Sequence, residues 1–595
     1  MKVQNLPEWN VDELIDQTFG ESRTEAGFWQ PDFAPLEAKI TAFTAQYRGA
    51  LSGLSGDALA EAIVAFENIS EDIGRIGSYA GLLHTENMED PARGAHYQHL
   101  LEKLTVMGQE LVFFSLELNG LAPEQVQGML DSSAALSNYN SWLQDLRASK
   151  PFELPEREEQ LLAQKSLTGS AAWIRLFDET TAAMRFTMRG KDYTQSEILK
   201  FLSSPDRDIR RDAAQSLSAE LGKHQHVLAS ITNVLAKDKA IEDDWRGFKR
   251  PISSRNLDNL IEDEVVDALR DAVKAAYPKL AHRYYAIKAR LLGLERLQHW
   301  DRLAPMPNDS ETTVDWADAK ELVLKAYHGF SPKIGAIAEK FFTHNWIDAA
   351  ARPGKAGGAF AHPTVPSAHP YILLNYQGKG RDVMTLAHEL GHGVHQVLAA
   401  EQGHLKSQTP LTLAETASVF GEMLSFETLL ANCSTPEQKA TLLARKTEDM
   451  LNTVVRQISF LDYEIRVHDA RREGELSPQK LGEIWREVAQ ESLGPIFDFD
   501  EEFDNLWGYV PHFIHSPFYV YAYAFGDCLV NALYGVYRQG NPDFIEQYMT
   551  LLQAGGSKRY DELLEPFGLD PKDPNFWNHG LHVIEEMIDE LESLV

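Results

Sequence analysis

Cysteine is nearly absent: the 595-residue chain has two, Cys433 and Cys528. Two thiols make a disulfide framework improbable and cannot by themselves build a thiolate zinc site. Cys528 stands in a strongly apolar segment and reads as a small core residue. Long hydrophobic runs are missing too. No stretch approaches the roughly 18 apolar residues that a membrane span needs. The opening MKVQNLPEWNVDELID lacks the apolar centre of a secretion signal. Positive charge is in deficit, with 56 Lys+Arg against 88 Asp+Glu and a net charge of −32. That balance argues against nucleic acid or an anionic membrane as partner; its main effect is solubility, and weak attraction of cationic substrates is the sharper one. Strand-like alternation is scarce, and no repeat of fixed period or low-complexity tract occurs. These absences leave a mainly α, cytoplasmic protein, long enough to bury a large core.

What is present centres on His388-Glu389-Leu390-Gly391-His392, an H-E-x-x-H segment. Tyr371 to Asn375 (YILLN) reads as a short strand that Gly378 and Gly380 end. Asp382 can cap the next segment, and Val383 to Ala399 is helix-forming and free of proline. On a helix, His388 and His392 share one face, about 6 Å apart at Cβ. Two imidazoles so placed can bind one Zn²⁺, and Glu389 beside them can hold a water. Gly391 and Gly393 each cost such a helix about 1 kcal/mol relative to alanine. Something must therefore pack very close to this face.

A zinc site needs a third protein ligand and a position left for water. The next apolar-periodic run, after Pro410, contains Glu415 and, on the same face, Glu422. The intervening length suffices for one helix to end, a loop to turn, and a second helix to return. We assign Glu415 to the metal and Glu422 to orienting a ligand; the spacing is also compatible with the opposite assignment.

HELGHGVH followed by LAETASVFGEML resembles the thimet oligopeptidase family of zinc metallopeptidases, most closely its oligoendopeptidase F branch. His388, Glu389, Gly391, His392 and His395 match the family's His-Glu-x-Gly-His-x-x-His segment. Glu415 and Ser418 match its Glu-x-x-Ser, and Glu422 a further glutamate. HRYYAIKARLLG and WDRLAP, between His282 and Pro305, resemble the same pattern. With specific motifs the likeness runs from about Arg207 to Leu591. It implies a large helical metallopeptidase with one Zn²⁺ per chain, a small β-sheet beside the zinc site, and a deep substrate channel. Residues 1–206 would then be an N-terminal helical wall or lid, and 207–595 the catalytic domain. The sheet would fall within Arg352–Tyr376, rich in Gly and Pro, with Gly357, Gly358, Ala359 and Phe360 gripping the extended substrate backbone by β-augmentation.

The family also uses a histidine and tyrosines to stabilise the oxyanion of the tetrahedral intermediate. In the segment Pro511–Gly526, His512 and Tyr523 match best, and Tyr519 next. An aromatic core helix is the alternative for that segment.

Elsewhere, helices are expected over Asp57–His84, Tyr97–Leu118, Glu264–Ala276, Pro278–Leu292, Trp316–Phe342 and Glu437–Arg472. Arg185–Arg189 is a short strand candidate, and Phe497–Asp504 (FDFDEEFD) reads as a solvated loop. His84, His96, His99, His224 and His226 are scattered and read as structural or exposed.

The function expected is a zinc-dependent endopeptidase of short peptides. Glu389 would be the general base, His388, His392 and Glu415 the metal ligands. A helical zinc carboxypeptidase or dipeptidyl carboxypeptidase shares the motif. A di-iron helical-bundle oxidoreductase would need a second Glu-x-x-His on another helix. The only other instance, Glu401-x-x-His404, follows in the same segment as the first. A helical scaffold that merely keeps a metal would have no need of Glu389.

Overall fold

The computed structural model describes residues 6–307 and 313–595; the first residues of the opening segment read above, 1–5, lie outside them. The architecture is mainly helical with small sheets, as expected. Among the described residues there are seven short strands: β1 (Phe186–Met188), β2 (Lys191–Tyr193), β3 (Leu297–Gln298), β4 (Ile347–Ala350), β5 (Phe360–His362), β6 (Tyr371–Tyr376) and β7 (Phe497–Asp498). Contacts divide the chain into two compact, interleaved units. One holds Met1–Lys150, Glu311–Asn432 and Gly540–Leu569; the other holds Pro151–Ser310, Cys433–Gln539 and Asp570–Val595.

In the first unit, the mixed sheet β4-β6-β5 carries β5 on one edge. β4 pairs parallel and β5 antiparallel to β6. The run YILL is apolar throughout because β6 is covered on both faces. Tyr371 and Leu373 join a core built by the N-terminal helices, with Trp29, Phe43, Ile63 and Phe114. Ile372, pointing the other way, reaches Gly393 on the helix Gly380–Ala399. Alternation along one strand thus ties residues far apart in sequence to the histidine helix. The helix pair Trp316–Phe330 and Pro332–Thr343 packs beside it.

The loop leading to β5 is fastened by one buried ion pair. Lys355 Nζ lies 2.9 Å from Asp348, both side chains fully buried. It also donates to the carbonyls of Ala350 and Leu374, at 2.8 and 2.6 Å. Arg352 closes on the same carboxylate at 2.5 Å. Asn375 Nδ2 donates to the carbonyls of Ala356 and Gly358, both at 2.9 Å. Gly358 has φ 77°, a left-handed turn that suits glycine.

The second unit is organised on the long helix Arg207–Arg246, with Val455–Glu473, Pro478–Leu493, Tyr521–Arg538 and Pro574–Leu594. β1 and β2 form a hairpin, and β3 pairs with β7 over two residues. Cys528 is fully buried, as its neighbours suggested.

Three expected continuous helices are broken. Tyr97–Leu118 divides at Glu110–Leu111. Trp316–Phe342 divides at Ser331, because Pro332 cannot continue a helix and Ser331 caps the next. Glu437–Arg472 divides at Val454. FDFDEEFD is not a loop: β7 and the 3₁₀ turn Glu501–Tyr509 occupy it. Its phenylalanines are the reason, since Phe497 and Phe503 are buried while Glu501 and Glu502 face water.

Replacing Lys355 with methionine strands Asp348 with Arg352 alone. Losing one partner of a buried pair costs about 3–5 kcal/mol, and Arg352 keeps the expected loss at the lower end. Urea denaturation of Lys355→Met measures it; a loss below about 1 kcal/mol would show that this pair does not hold the loop.

Candidate active site

The helix Gly380–Ala399 starts where Asp382 accepts from the backbone N–H groups of Gln377 and Lys379, at 2.8 and 3.0 Å. From one side of it rise His388 and His392, with ring centroids 4.9 Å apart and planes at 82°. The chain turns and returns as the helix Thr416–Ala431, preceded by the short turn Leu411–Ala414. Glu415 stands at that junction. Its Oε2 lies 3.4 Å from His388 Nε2 and 3.5 Å from His392 Nε2. No other group of three such side chains gathers this closely among the described residues.

Two imidazole nitrogens and one carboxylate oxygen are the donor set that Zn²⁺ takes in hydrolytic sites. Ligands about 2.1 Å from a tetrahedral zinc stand ~3.4 Å from one another. The observed separations therefore fit that ion.

The glycines make the return possible. A Cβ on Gly391 would sit 2.6 Å from Ser418 Cα and closer still to the Ala417 carbonyl oxygen. On Gly393 it would meet the Phe341 ring at 2.5 Å. The close approach inferred from sequence is thus the Glu415 helix on one side and Phe341 on the other. Gly421 serves likewise, leaving room for the Tyr327 phenol, which donates to the Ala387 carbonyl at 2.7 Å.

A second ring of contacts orients the donors. Glu422 Oε2 lies 3.4 Å from His388 Nδ1, on the opposite side of the ring from Glu415. Ser418 Oγ donates to Glu415 Oε2 at 2.6 Å. The Ala414 carbonyl faces both His392 and His395, and Thr409 Oγ1 is 3.3 Å from His395 Nε2. Burial opposes charge on His388, but its hydrogen bond to Glu422 and the Glu415 charge prevail and carry it up to about 9. His392 is pushed down to about 4, first by burial, then by the charge on His388. His395, fully buried, falls to about 3.

Glu389 is 7% exposed. Burial raises its carboxyl to about 7, Glu415 adding to the effect and His388 opposing it. The Ala361 backbone N–H hydrogen-bonds it, and Gln396 Nε2 donates to the Ala361 carbonyl at 3.2 Å. In an antiparallel strand both backbone groups of one residue point the same way. The β5 edge at Ala361 therefore faces the histidine helix. Phe360 opens this strand, whereas Gly357, Gly358 and Ala359 form the loop before it. Sequence reasoning missed Ala361, because a backbone N–H leaves no mark on residue type. Glu401 and His404 lie beyond the helix end, with the His404 ring beside Gly74.

In the second unit, His512 opens the short helix His512–His515, and its Nε2 is 3.3 Å from Tyr523 Oη. Tyr519 meets the Tyr523 ring edge-on at 5.4 Å. Burial holds His512 below the usual imidazole range. His515 turns elsewhere, to Asp178 at 2.8 Å. Phe518 takes a left-handed φ of 61°, and its N–H is held by Glu464 at 2.8 Å. This left-handed turn immediately precedes Tyr519, and Glu464 is a second residue that the sequence reading did not single out.

Comparison with known proteins gives a consistent likeness. Residues 200–583 match the sequence model for Peptidase family M3, and residues 117–186 that for Oligopeptidase F. Oligopeptidase PepF of Bacillus subtilis is 26% identical over 580 residues, covering 95% of this chain and 85% of that one. Group B oligopeptidase PepB of Streptococcus agalactiae is 27% identical, covering 84% and 85%. The same fold occurs in oligoendopeptidase F of Enterococcus faecium (TM-score 0.70, 21% identity, 94% and 98% coverage). A candidate peptidase of Chlamydophila abortus has it too (TM-score 0.85, 22% identity, 99% and 98% coverage).

Gly391→Ala forces the two helices apart at the metal donors. Overpacking of this kind costs about 1–3 kcal/mol. The variant should bind zinc more weakly in a competition titration against a chelating dye; unchanged affinity would separate the helix contact from the donor geometry.

Proposed function

Because the chain belongs to peptidase family M3, and so is a metal-dependent endopeptidase of oligopeptides, we propose that it is a zinc enzyme using Glu389 as general base. The observation that carries this reading is the triangle of His388, His392 and Glu415, with the Glu389 carboxyl beside it on the same helix. His388 and His392 present nitrogen donors, and Glu415 one oxygen. Glu422 and Ser418 keep His388 and Glu415 aimed. Zn²⁺ bound there supplies a Lewis acid that polarises the scissile carbonyl and makes water a better nucleophile at neutral pH.

The protein's residues do the rest. Glu389 takes the proton from the attacking water and delivers it to the leaving amine. Its buried position suits both roles, since burial weakens the preference for the charged form in a group that must gain and lose a proton in each turnover. His512 and Tyr523, with Tyr519 next, donate hydrogen bonds to the developing oxyanion; their mutual contact at 3.3 Å supports a shared task. Phe360 and the edge of β5, with Gly357, Gly358 and Ala359 before it, bind the extended peptide backbone. Main-chain pairing grips a peptide with little regard to side chains, which suits an oligopeptidase. Action in the cytoplasm belongs to this reading and is supported by a chain with only two cysteines. No helix among the described residues is long and apolar enough to cross a membrane.

Glu389→Gln keeps the carboxylate's shape and removes the base. It should retain zinc and fold while turnover drops about 10²–10⁴-fold; near-normal turnover of a blocked peptide would remove Glu389 from the chemistry. Tyr523→Phe should lower kcat by about 10²–10³-fold if its hydroxyl serves the oxyanion. Internal cleavage of a C-terminally amidated peptide, abolished by chelation and restored by Zn²⁺, is expected; cleavage only of peptides with a free C-terminus would make the enzyme a carboxypeptidase.

A further inference from the structure

The second unit encloses a cavity of about 90 Å³, between the helices Arg207–Arg246, Val455–Glu473 and Pro478–Leu493. Its walls are mostly apolar, with Leu217, Val455, Phe460, Phe503 and Leu506 among them. Two guanidinium groups line it, those of Arg302 and Arg456. Among the described residues, neither has a carboxylate at ion-pair distance. Arg302 Nη1 donates to Asn452 Oδ1, and Arg456 Nη2 donates to Tyr509 Oη, both at 2.5 Å. The Arg456 guanidinium also lies over the Phe460 ring, 4.8 Å from its centre.

Nearby cations that are fully buried are paired. Lys288 pairs with Glu448 at 2.8 Å, and Arg210 with Asp301 at 2.9 Å. Arg302 and Arg456 are left with neutral partners in a chain whose net charge is −32. Burial disfavours the charge on Arg456, and the positive charge of Arg302 disfavours it further. Arg302 and Arg456 are half-buried, and a cation partly withdrawn from water without a counter-charge is disfavoured.

A third donor points the same way. Trp485 lines the cavity and is 6% exposed, and among the described residues its indole N–H has no acceptor. An indole N–H can only donate. Three residues that can only donate, two of them cationic, line one space, and among the described residues no carboxylate lines it.

We propose that this cavity is a binding site for a small monoanion, held by Arg302, Arg456 and the Trp485 indole. The planar guanidinium fork matches a carboxylate in bidentate fashion. Apolar walls suit a carboxylate with a short hydrocarbon body, and a halide shares the single charge and low hydration. The site is independent of the zinc chemistry, and nothing in it supplies a metal ligand set.

The test uses the zinc-loaded full chain in sulfate buffer at constant ionic strength. Sodium butyrate, sodium chloride and, as the uncharged control, n-butanol are titrated separately. Binding is read from tryptophan fluorescence, since Trp300 and Trp485 both line the cavity, and from the thermal midpoint. A saturable change with butyrate identifies a carboxylate site, and one with chloride alone a halide site; butanol should give neither. Arg302→Gln with Arg456→Gln should weaken binding at least tenfold. Trp485→Phe, which removes one N–H and little volume, should weaken it several-fold and serves if the double variant does not fold. A wild-type protein that shows no saturable response to either anion overturns the proposal. So does a folded double variant or Trp485→Phe that binds as tightly as wild type. Bromide-soaked wild-type crystals give an independent reading: anomalous density between Arg302 and Arg456 is expected for a halide.

Discussion

The structure depends on one backbone contact. Where Gly391 has only hydrogen, the helix that follows Glu415 comes close enough for Ser418 Cα and the Ala417 carbonyl to occupy the space of a side chain. Helix axes normally stand 8–10 Å apart because side chains intervene. Removing one at the crossing lets the carboxylate of Glu415 reach both imidazoles with a short side chain. The about 1 kcal/mol that a glycine costs a helix interior is the penalty for this proximity.

Such closeness would be useless if the donors could wander. Each is therefore held from behind by a neutral or acidic partner. Glu422 faces the far nitrogen of His388, Ser418 holds Glu415, and the Ala414 carbonyl faces His392. The helices are themselves pinned by phenols, Tyr327 to the Ala387 carbonyl and Tyr548 to the Thr416 carbonyl at 2.9 Å. Both tyrosines are buried, where an unpaired hydroxyl would be costly, so each bond also fixes a position along its helix. Ile372 and Phe341 press the histidine helix from the other side.

Two charge regimes coexist in the chain. Around the candidate metal donors, half-buried carboxylates and imidazoles crowd together, and their protonation states depend on one another: His388 is pushed up while His392 is pushed down, one helical turn away. Around Arg302 and Arg456, two half-buried cations line a cavity with no acid in its described lining. An overall charge of −32 describes neither place. Net charge governs long-range behaviour, and local composition governs what a cavity can hold.

The cluster of His388, His392 and Glu415 was legible in the sequence because a helix converts spacing into geometry. His388 and His392 one turn apart must share a face, and glycines at 391 and 393 announce a close neighbour. The apolar run of β6 and the caps at Asp382 were legible for the same reason: each is a local rule acting over a few residues. Breaks at Ser331 and Val454, and the buried turn inside FDFDEEFD, were not, because packing decided which phenylalanines went inward. Ala361 beside Glu389, Glu464 behind Phe518, and the pairing of Arg302 with Arg456 across a cavity join residues that share no period. What the sequence determined by itself is the face each donor occupies on its own helix. What only the tertiary structure decided is which faces meet, since that rests on steric fit and desolvation summed over segments that the chain order does not bring together.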